Sequence, residues 1–471
     1  MSAPFIFSDS CQKNVSRSDL PGLFLAIGKL NLAAREGRVQ AISISGKRPT
    51  YARELPEIIS CAVTGRSRSS NSETVSSAVF NVSHYIGSYS TRIPGRDGSS
   101  IVTIEIIPRW GASILHYLLR YTTGIYMPPD ANIGSQASRD SAEWILTLLW
   151  RSVFNQALRR FHIPKEYRAK RTNDRFFKGR LDVHRQIREN IADQSKFCCV
   201  HAPLTIDTTI NQTIRYVFRL LARNRAYAVL LNDIAGYDER LASFGVKARD
   251  VRSEEVDRIR YTRMSEGYRP LMQVGKAIIR RFGASTSAAS PGETSFFIDI
   301  AEIWENYLQA ILTRHLPPIY RVINPNETGG QWLVTGQRRE IRPDLIIVNE
   351  EGVPVAILDA KFKRYTSIGK FARDGVSRED LYQMVTYLYH YGEGDVPLLG
   401  LFISPGGEKG DWHPLENRRN HAIGVLNFDL GKWDDGPFDI NAIKSYEEEF
   451  ANGLERLLGK FRQDCGLSHA N

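Results

Sequence analysis

Two periods alternate along this chain. Apolar residues recur every three to four positions in SAEWILTLLWRSVFNQALRRF (141–161), NQTIRYVFRLLARN (211–224) and YRPLMQVGKAIIRRFG (268–283), which predicts amphipathic helices. The same period runs through FFIDIAEIWENYLQAILTRHL (296–316), where Ile300, Ile303, Trp304, Tyr307, Leu308 and Ile311 form one stripe, and through REDLYQMVTYLYHYG (378–392). Short, nearly unbroken apolar runs predict strands instead: residues 39–44, 101–107, 345–348, 353–362 and 397–404. From these signals the chain divides into a mixed, Ser-rich region over 1–135, a helical middle over 136–283, and a Gly/Ala/Ser/Thr linker over 284–295. A C-terminal region over 296–471 follows, in the order helix, strands, helix, strand. The fold class expected is α/β in the broad, α+β multidomain sense, with the three regions as separate units.

Two of the predicted strands carry acids where burial should forbid them. In RPDLIIVNEEGVPVAILDAKFKRY (342–365) the turn cluster NEEG joins the strands, and Asp344, Asp359 and Lys361 interrupt the apolar pattern. Side chains alternate along a strand, so Val355, Ile357, Asp359 and Lys361 share one face. Pairing the strands brings both carboxylates and the ammonium to one end of a hairpin. Charges there are costly unless they pair with each other or hold a metal. Two carboxylates are hard oxygen ligands for Mg²⁺, with Mn²⁺ a possible substitute. An adjacent lysine can orient or deprotonate a metal-bound water and offset charge on an attacked phosphate. A structural ion pair is the competing reading.

Pro-Asp, a spacer, then Asp-x-Lys resembles the PD-(D/E)xK nuclease superfamily, whose hydrolytic core this constellation forms. The resemblance implies a restriction-endonuclease-like α/β core for the C-terminal region, with Asp344, Asp359 and Lys361 catalytic. Members often add an acid from a preceding helix; Glu305 is the candidate and Glu302 its competitor. They also often carry Gln-x-x-x-Tyr on the helix after the Asp-x-Lys strand, here Gln383 and Tyr387, four residues apart and so on one helix face.

A wider resemblance covers residues 100–405. SIVTIEIIPRWGASILHYLLRYTTGI (100–125) is similar to the strand, Ile-x-Pro-basic, helix segment of the McrC family. KGRLDVHRQIRENIADQSKFCCVHAPLTIDTTINQTIRYVFRLL (178–221) is similar to its next segment, with Gly-Arg-Leu-Asp and then Thr-x-Asp-Thr-x-x-Asn before a helix. The family comprises endonuclease subunits of modification-dependent restriction systems that work with the AAA+ GTPase McrB. The resemblance therefore implies a Mg²⁺-dependent DNA endonuclease, a McrB-type motor as partner, and a motor-docking role for residues 1–135. Two alternatives stay open: a stand-alone repair or recombination nuclease, and a non-catalytic adaptor that activates a motor.

Composition adds a substrate preference. The net charge is +10 and the pI about 9.3, which suits a polyanionic partner such as double-stranded DNA. The excess concentrates in RRFHIPKEYRAKRTNDRFFKGR (159–180), where Arg168, Lys170, Arg171, Arg175, Lys178 and Arg180 lie among aromatics and are candidate phosphate contacts. A solvated face is the plainer alternative. No G-x-x-x-x-G-K-[ST] occurs, so no nucleotide is expected to bind this chain itself. The five cysteines show neither metal-ligand nor disulfide spacing. With no apolar run of membrane-spanning length, and no basic-then-apolar pattern in MSAPFIFSDSCQKN, a cytoplasmic location is expected.

Overall fold

The computed structural model describes residues 5–9, 12–15, 20–36, 39, 41–42, 57–69, 72–95, 98–123, 142–160, 162–232, 234–282, 294–334, 337–363, 375–392, 396–406, 412–416, 418–433 and 439–466. It is a mixed α/β structure in two compact units: residues 146–291 form one, and residues 1–145 together with 292–471 form the other. The three-region division expected from sequence is thus redrawn. The helical middle is a unit close to its expected bounds, but the first and last regions share a single unit. The expected linker over 284–295 lies outside the described residues except for its last two.

The N-terminal part runs β1 (Phe5–Ser8), β2 (Gln12–Val15), a helix Leu20–Arg35, β3 (Ala41–Ile42), β4 (Ile59–Ser69), β5 (Ser72–Val82), β6 (Tyr85–Gly95), β7 (Gly98–Ile107) and a helix Gly111–Thr123. The strand expected over 39–44 is described only at β3; residues 43 and 44 lie outside the described residues. Gly111, at φ +78°, makes the tight turn after β7, and its N–H donates to the Pro108 carbonyl at 3.2 Å. Leu23, Ile27 and Leu30 of the first helix pack with Phe80, Ile104 and Ile106 in one buried cluster.

In the middle unit, the helices expected at 141–161, 211–224 and 268–283 form as Ala142–Arg160, Thr209–Ala222 and Arg269–Phe282. They enclose Trp150, whose ring stacks on Phe154 at 5.2 Å and meets Phe218 edge-on at 5.0 Å. The unit also holds short strands that periodicity did not predict: β8 (Glu166–Tyr167), β9 (Lys170–Asp174), β10 (Arg180–Leu181), β11 (Phe197–His201) and β12 (Leu204–Thr205). β11 lies between β10 and β9, and β12 pairs with β8.

The C-terminal part opens with β13 (Thr294–Asp299). The predicted helix over 296–316 is corrected here: its first four residues are strand, and the helix is Ile300–His315. Phe296, Phe297 and Ile298 are β-formers, and β13 pairs antiparallel with β6 through six residue pairs, from Thr294↔Ser90 to Asp299↔Tyr85. β13 thereby completes the sheet β1-β7-β6-β13-β3. Asp299 then caps the helix, its carboxylate accepting from the Ala301 and Glu302 N–H groups.

A second sheet follows: β14 (Arg321–Ile323), β17 (Leu345–Val348), β18 (Pro354–Ala360), β19 (Leu398–Ser404), β20 (Trp412–Leu415) and β21 (Arg418–Asn427), in the order β14-β17-β18-β19-β21-β20. β15 (Gln331–Val334) and β16 (Gln337–Ile341) pair separately. β17 and β18 are antiparallel, joined by a turn in which Gly352 sits at φ +82° and donates to the Asn349 carbonyl at 3.0 Å. β18 and β19 are parallel, so the chain must cross over between them, and the helix Arg378–Tyr391 lies in that crossover. The long last helix, Ile440–Asp464, contributes Glu447, fully buried, whose Oε1 accepts from the hydroxyls of Tyr117 and Tyr307 at 2.8 Å each. That carboxylate ties one helix of the N-terminal part to two of the C-terminal part.

Candidate active site

The site forms at the carboxyl end of β18. Leu345↔Leu358 pairing puts Asp344, just before β17, beside the end of the neighbouring strand, and the Ala360 N–H donates to Asp344 Oδ2 at 2.7 Å. Asp359 is buried at 3 % exposure, in register with Phe402 of β19. Lys361 continues the strand by one residue, its N–H donating to the Ile403 carbonyl at 2.9 Å. Its ammonium lies 2.7 Å from Asp359 Oδ2 and 3.1 Å from Asp380 Oδ1, and donates to Gln383 Oε1 at 3.2 Å. The structure therefore brings Asp344, Asp359, Lys361 and Gln383 together.

The crossover helix supplies the other wall. Ser377 caps it, its hydroxyl accepting from the Asp380 N–H at 3.2 Å and donating to Asp380 Oδ2 at 2.7 Å. Gln383 Nε2 donates to the Tyr387 hydroxyl at 2.7 Å, and that hydroxyl donates to the Arg342 carbonyl at 3.2 Å. A chain of contacts thus leads from the ammonium through Gln383 and Tyr387 back to the segment that carries Asp344. A cleft of about 390 Å³, lined by Glu340, Ile341, Arg342, Gln383, Thr386 and Tyr387, opens beside it.

Charges at the site do not act alone. Burial, reinforced by the negative charges of Glu305 and Asp359, holds the Asp344 carboxyl well above the ordinary carboxylate range, against the Ala360 N–H and Lys361. Burial alone would lower the Lys361 ammonium, but Asp359 and Asp380 outweigh it and raise its pKa. Burial, and after it the charges of Asp359 and Asp344, raise the Tyr387 phenol. The Glu305 carboxylate is close enough to bear on Asp344, whereas Glu302 bears on Asp299, the cap of the same helix.

The donor set suits a hard divalent cation. Asp344 and Asp359 offer carboxylate oxygens, Glu305 adds negative charge, and Asp359 Oδ2 is buried without a well-aligned hydrogen bond despite the nearby ammonium. Among the described residues no group of three His, Cys, Asp or Glu side chains is placed to hold a metal ion together.

Asp380 was not foreseen. It stands three residues before Gln383 and seven before Tyr387, on the same helix face, and that spacing was the available signal. The six basic candidates are elsewhere: Arg168, Lys170, Arg171, Arg175, Lys178 and Arg180 all lie exposed in the 146–291 unit. Glu166 pairs with Arg168 at 2.9 Å and Asp174 with Lys178 at 3.3 Å; Tyr167, Phe176 and Phe177 are exposed among them.

Comparison with known proteins now has a geometry to meet. A family model described as McrBC 5-methylcytosine restriction system component matches residues 81–400, more than half of the chain. Among solved structures, a chain of the refined half-complex from a tetradecameric assembly of Thermococcus gammatolerans McrB AAA+ hexamers with bound McrC superposes with a TM-score of 0.50. The identity is 16 %, over 97 % of this chain and 100 % of that one. A chain of the cryo-EM structure of the Thermococcus gammatolerans McrBC complex gives 0.36 at 17 % identity, over 66 % of this chain and 88 % of that one. The first of these likenesses shows a shared fold. No curated protein matches. Among the described residues no helix is long and apolar enough to cross a membrane.

Proposed function

Since this chain belongs to the McrBC 5-methylcytosine restriction system component family, we propose that it is the nuclease subunit of such a system, hydrolysing DNA phosphodiesters under the control of a McrB-type AAA+ GTPase. The observation that carries the reading is the meeting of Asp344, Asp359 and Lys361 at the end of β18. Asp344 and Asp359 would hold Mg²⁺ or Mn²⁺, with Glu305 beside them; the ion would lower the pKa of a bound water and offset charge on the attacked phosphate.

The chain's own groups define the rest. In the metal-free chain Asp359 and Asp380 raise the Lys361 pKa, so its ammonium stands there as a hydrogen-bond donor to water or a phosphate oxygen. Gln383 holds the ammonium and Tyr387 holds Gln383, which fixes the donor before substrate arrives. Arg168, Lys170, Arg171, Arg175, Lys178 and Arg180 would contact the DNA backbone, with Lys170, Arg171, Arg175 and Arg180 the stronger members because no acid pairs with them among the described residues.

Control belongs to a second polypeptide. The chain has no G-x-x-x-x-G-K-[ST] loop, and the solved assembly that shares its fold contains McrB AAA+ hexamers with bound McrC. Residues 1–135 are assigned the motor contact on the family resemblance. The test is a digestion series on modified and unmodified DNA with Mg²⁺, with and without the cognate AAA+ protein and GTP. Cleavage should appear only in the complete mixture. Vigorous cutting of unmodified DNA by the chain alone would overturn the gated reading.

A further inference from the structure

One motif of the sequence has no part in the chemistry above: Ile106-Ile107-Pro108-Arg109, at the end of β7. Arg109 stands at the corner before Gly111, and its guanidinium lies 3.8 Å from the centre of the Trp110 ring and 4.9 Å from that of Phe362. Its Nη2 donates to the Phe362 carbonyl at 3.4 Å. Phe362 directly follows Lys361. Its ring is 3 % exposed and meets Trp110 at 5.2 Å and Trp304 at 6.3 Å.

The arginine is itself anchored. Asp9, fully buried after β1, accepts from the Arg109 N–H at 2.6 Å, and its Oδ2 lies 4.0 Å from Arg109 Nε. The Asp9 N–H donates to the Ile107 carbonyl at 3.0 Å, so β1 and β7 hold the pair from both sides. Burying a carboxylate is costly, and an apolar pair would close this corner at least as well. A guanidinium does what an apolar residue cannot: it grips a carbonyl and two aromatic faces at once.

We propose that Arg109 is a positioning residue for the nuclease centre. It clamps the peptide after Lys361, so that the lysine Cα stays where the ammonium reaches Asp359, Asp380 and Gln383 together. The inference rests on the nuclease reading for its consequence, and on contacts alone for the clamp. Displacing a reacting group by about 1 Å can cost ~10²-fold in rate, so losing the clamp should appear in turnover and not in DNA binding.

The test uses the full chain with its AAA+ partner, GTP and Mg²⁺, comparing Arg109→Lys and Arg109→Gln with Ile104→Ala. Ile104 is fully buried in the same sheet, so its truncation reports general loosening. Arg109→Gln should lower single-turnover kcat at least tenfold with KM for DNA unchanged. Arg109→Lys should recover part of the loss, and Ile104→Ala, compared at an equal distance below its melting temperature, should keep near wild-type kcat. A parallel readout needs no cleavage: hydrogen exchange at the Lys361 amide should quicken at least tenfold in Arg109→Gln and stay slow in Ile104→Ala. Equal exchange in wild type and Arg109→Gln, or equal kcat loss in Arg109→Gln and Ile104→Ala, overturns the proposal. If the wild-type mixture never cuts while exchange quickens selectively, the clamp stands and the nuclease reading falls.

Discussion

Removing residues 1–135 tests whether the C-terminal core, the proposed nuclease, is a separable domain. Polar segments in the sequence suggest that it is, but the pairing of β13 with β6 argues the opposite. Deletion strips β13 of its six residue pairs with β6, besides two with β3. About six backbone hydrogen bonds at roughly 0.5–1.5 kcal/mol each would be lost. Phe297, fully buried in the N-terminal core, would lose its cover at about 1.5–3 kcal/mol. Tyr117 and Arg109 would go too, removing one donor from buried Glu447 and the clamp on Phe362. The total is on the order of 5–12 kcal/mol, comparable with the whole stability of a typical domain, roughly 5–15 kcal/mol. The assay is denaturant unfolding of residues 136–471 beside the full chain, together with Mg²⁺ binding by calorimetry. The truncated chain should lose the cooperative transition of its C-terminal half and its Mg²⁺ affinity. An undiminished midpoint with Mg²⁺ binding intact would refute this reasoning.

Three further outcomes follow from the site. Lys361→Ala should retain Mg²⁺ binding but lose ~10²–10⁴-fold in turnover, because its charge acts on water and phosphate; a single-turnover loss below tenfold would mark it as a structural ion-pair partner of Asp359 and Asp380. Asp344→Asn should stabilise the metal-free chain at neutral pH. The Asp344 pKa is raised in the fold, so the folded state binds the proton more tightly, and stability falls as pH rises above the ordinary carboxylate range. The gain should therefore shrink as pH drops toward that range, and denaturation at several pH values checks the sign. Replacing Lys170 and Arg171 together by Gln should weaken DNA binding alike for all sequences and reduce the slope of log affinity against log salt by about 2; an unchanged slope would return these residues to a solvated face.

What the sequence made legible was what local period can encode. The hairpin of Leu345–Val348 and Pro354–Ala360 forms as its pattern implies, because alternation alone sends Asp359 and Lys361 to one face and the turn residues set the register. The helix Ile300–His315 starts four residues later than its period implies. Phe296, Phe297 and Ile298 extend the helical stripe as well as they suit a strand, and their partner strand lies some two hundred residues earlier in the chain. The Asp299 cap was visible in Asp-Ile-Ala-Glu and marks the true start. The small sheets of the middle unit were missed for a similar reason. β9 reads Lys-Arg-Thr-Asn-Asp, with no apolar residue to reveal a strand, and forms by pairing with Phe197–His201. Of the site, Asp344, Asp359, Lys361 and Gln383 were readable as a motif on neighbouring elements. Asp380 needed the tertiary crossover, and Arg109 needed the first sheet to meet the second.

The central claim, that two carboxylates at the end of β18 make this chain a metal-dependent nuclease, is tested most directly by Asp359→Ala. The purified variant should bind the AAA+ partner and keep a cooperative fold, since removing one member of the acid group relieves repulsion on Asp344. Mixed with that partner, GTP, Mg²⁺ and modified DNA, it should leave the DNA uncut over a time in which the wild-type chain cleaves it. Cleavage at the wild-type rate by the folded variant would contradict the account.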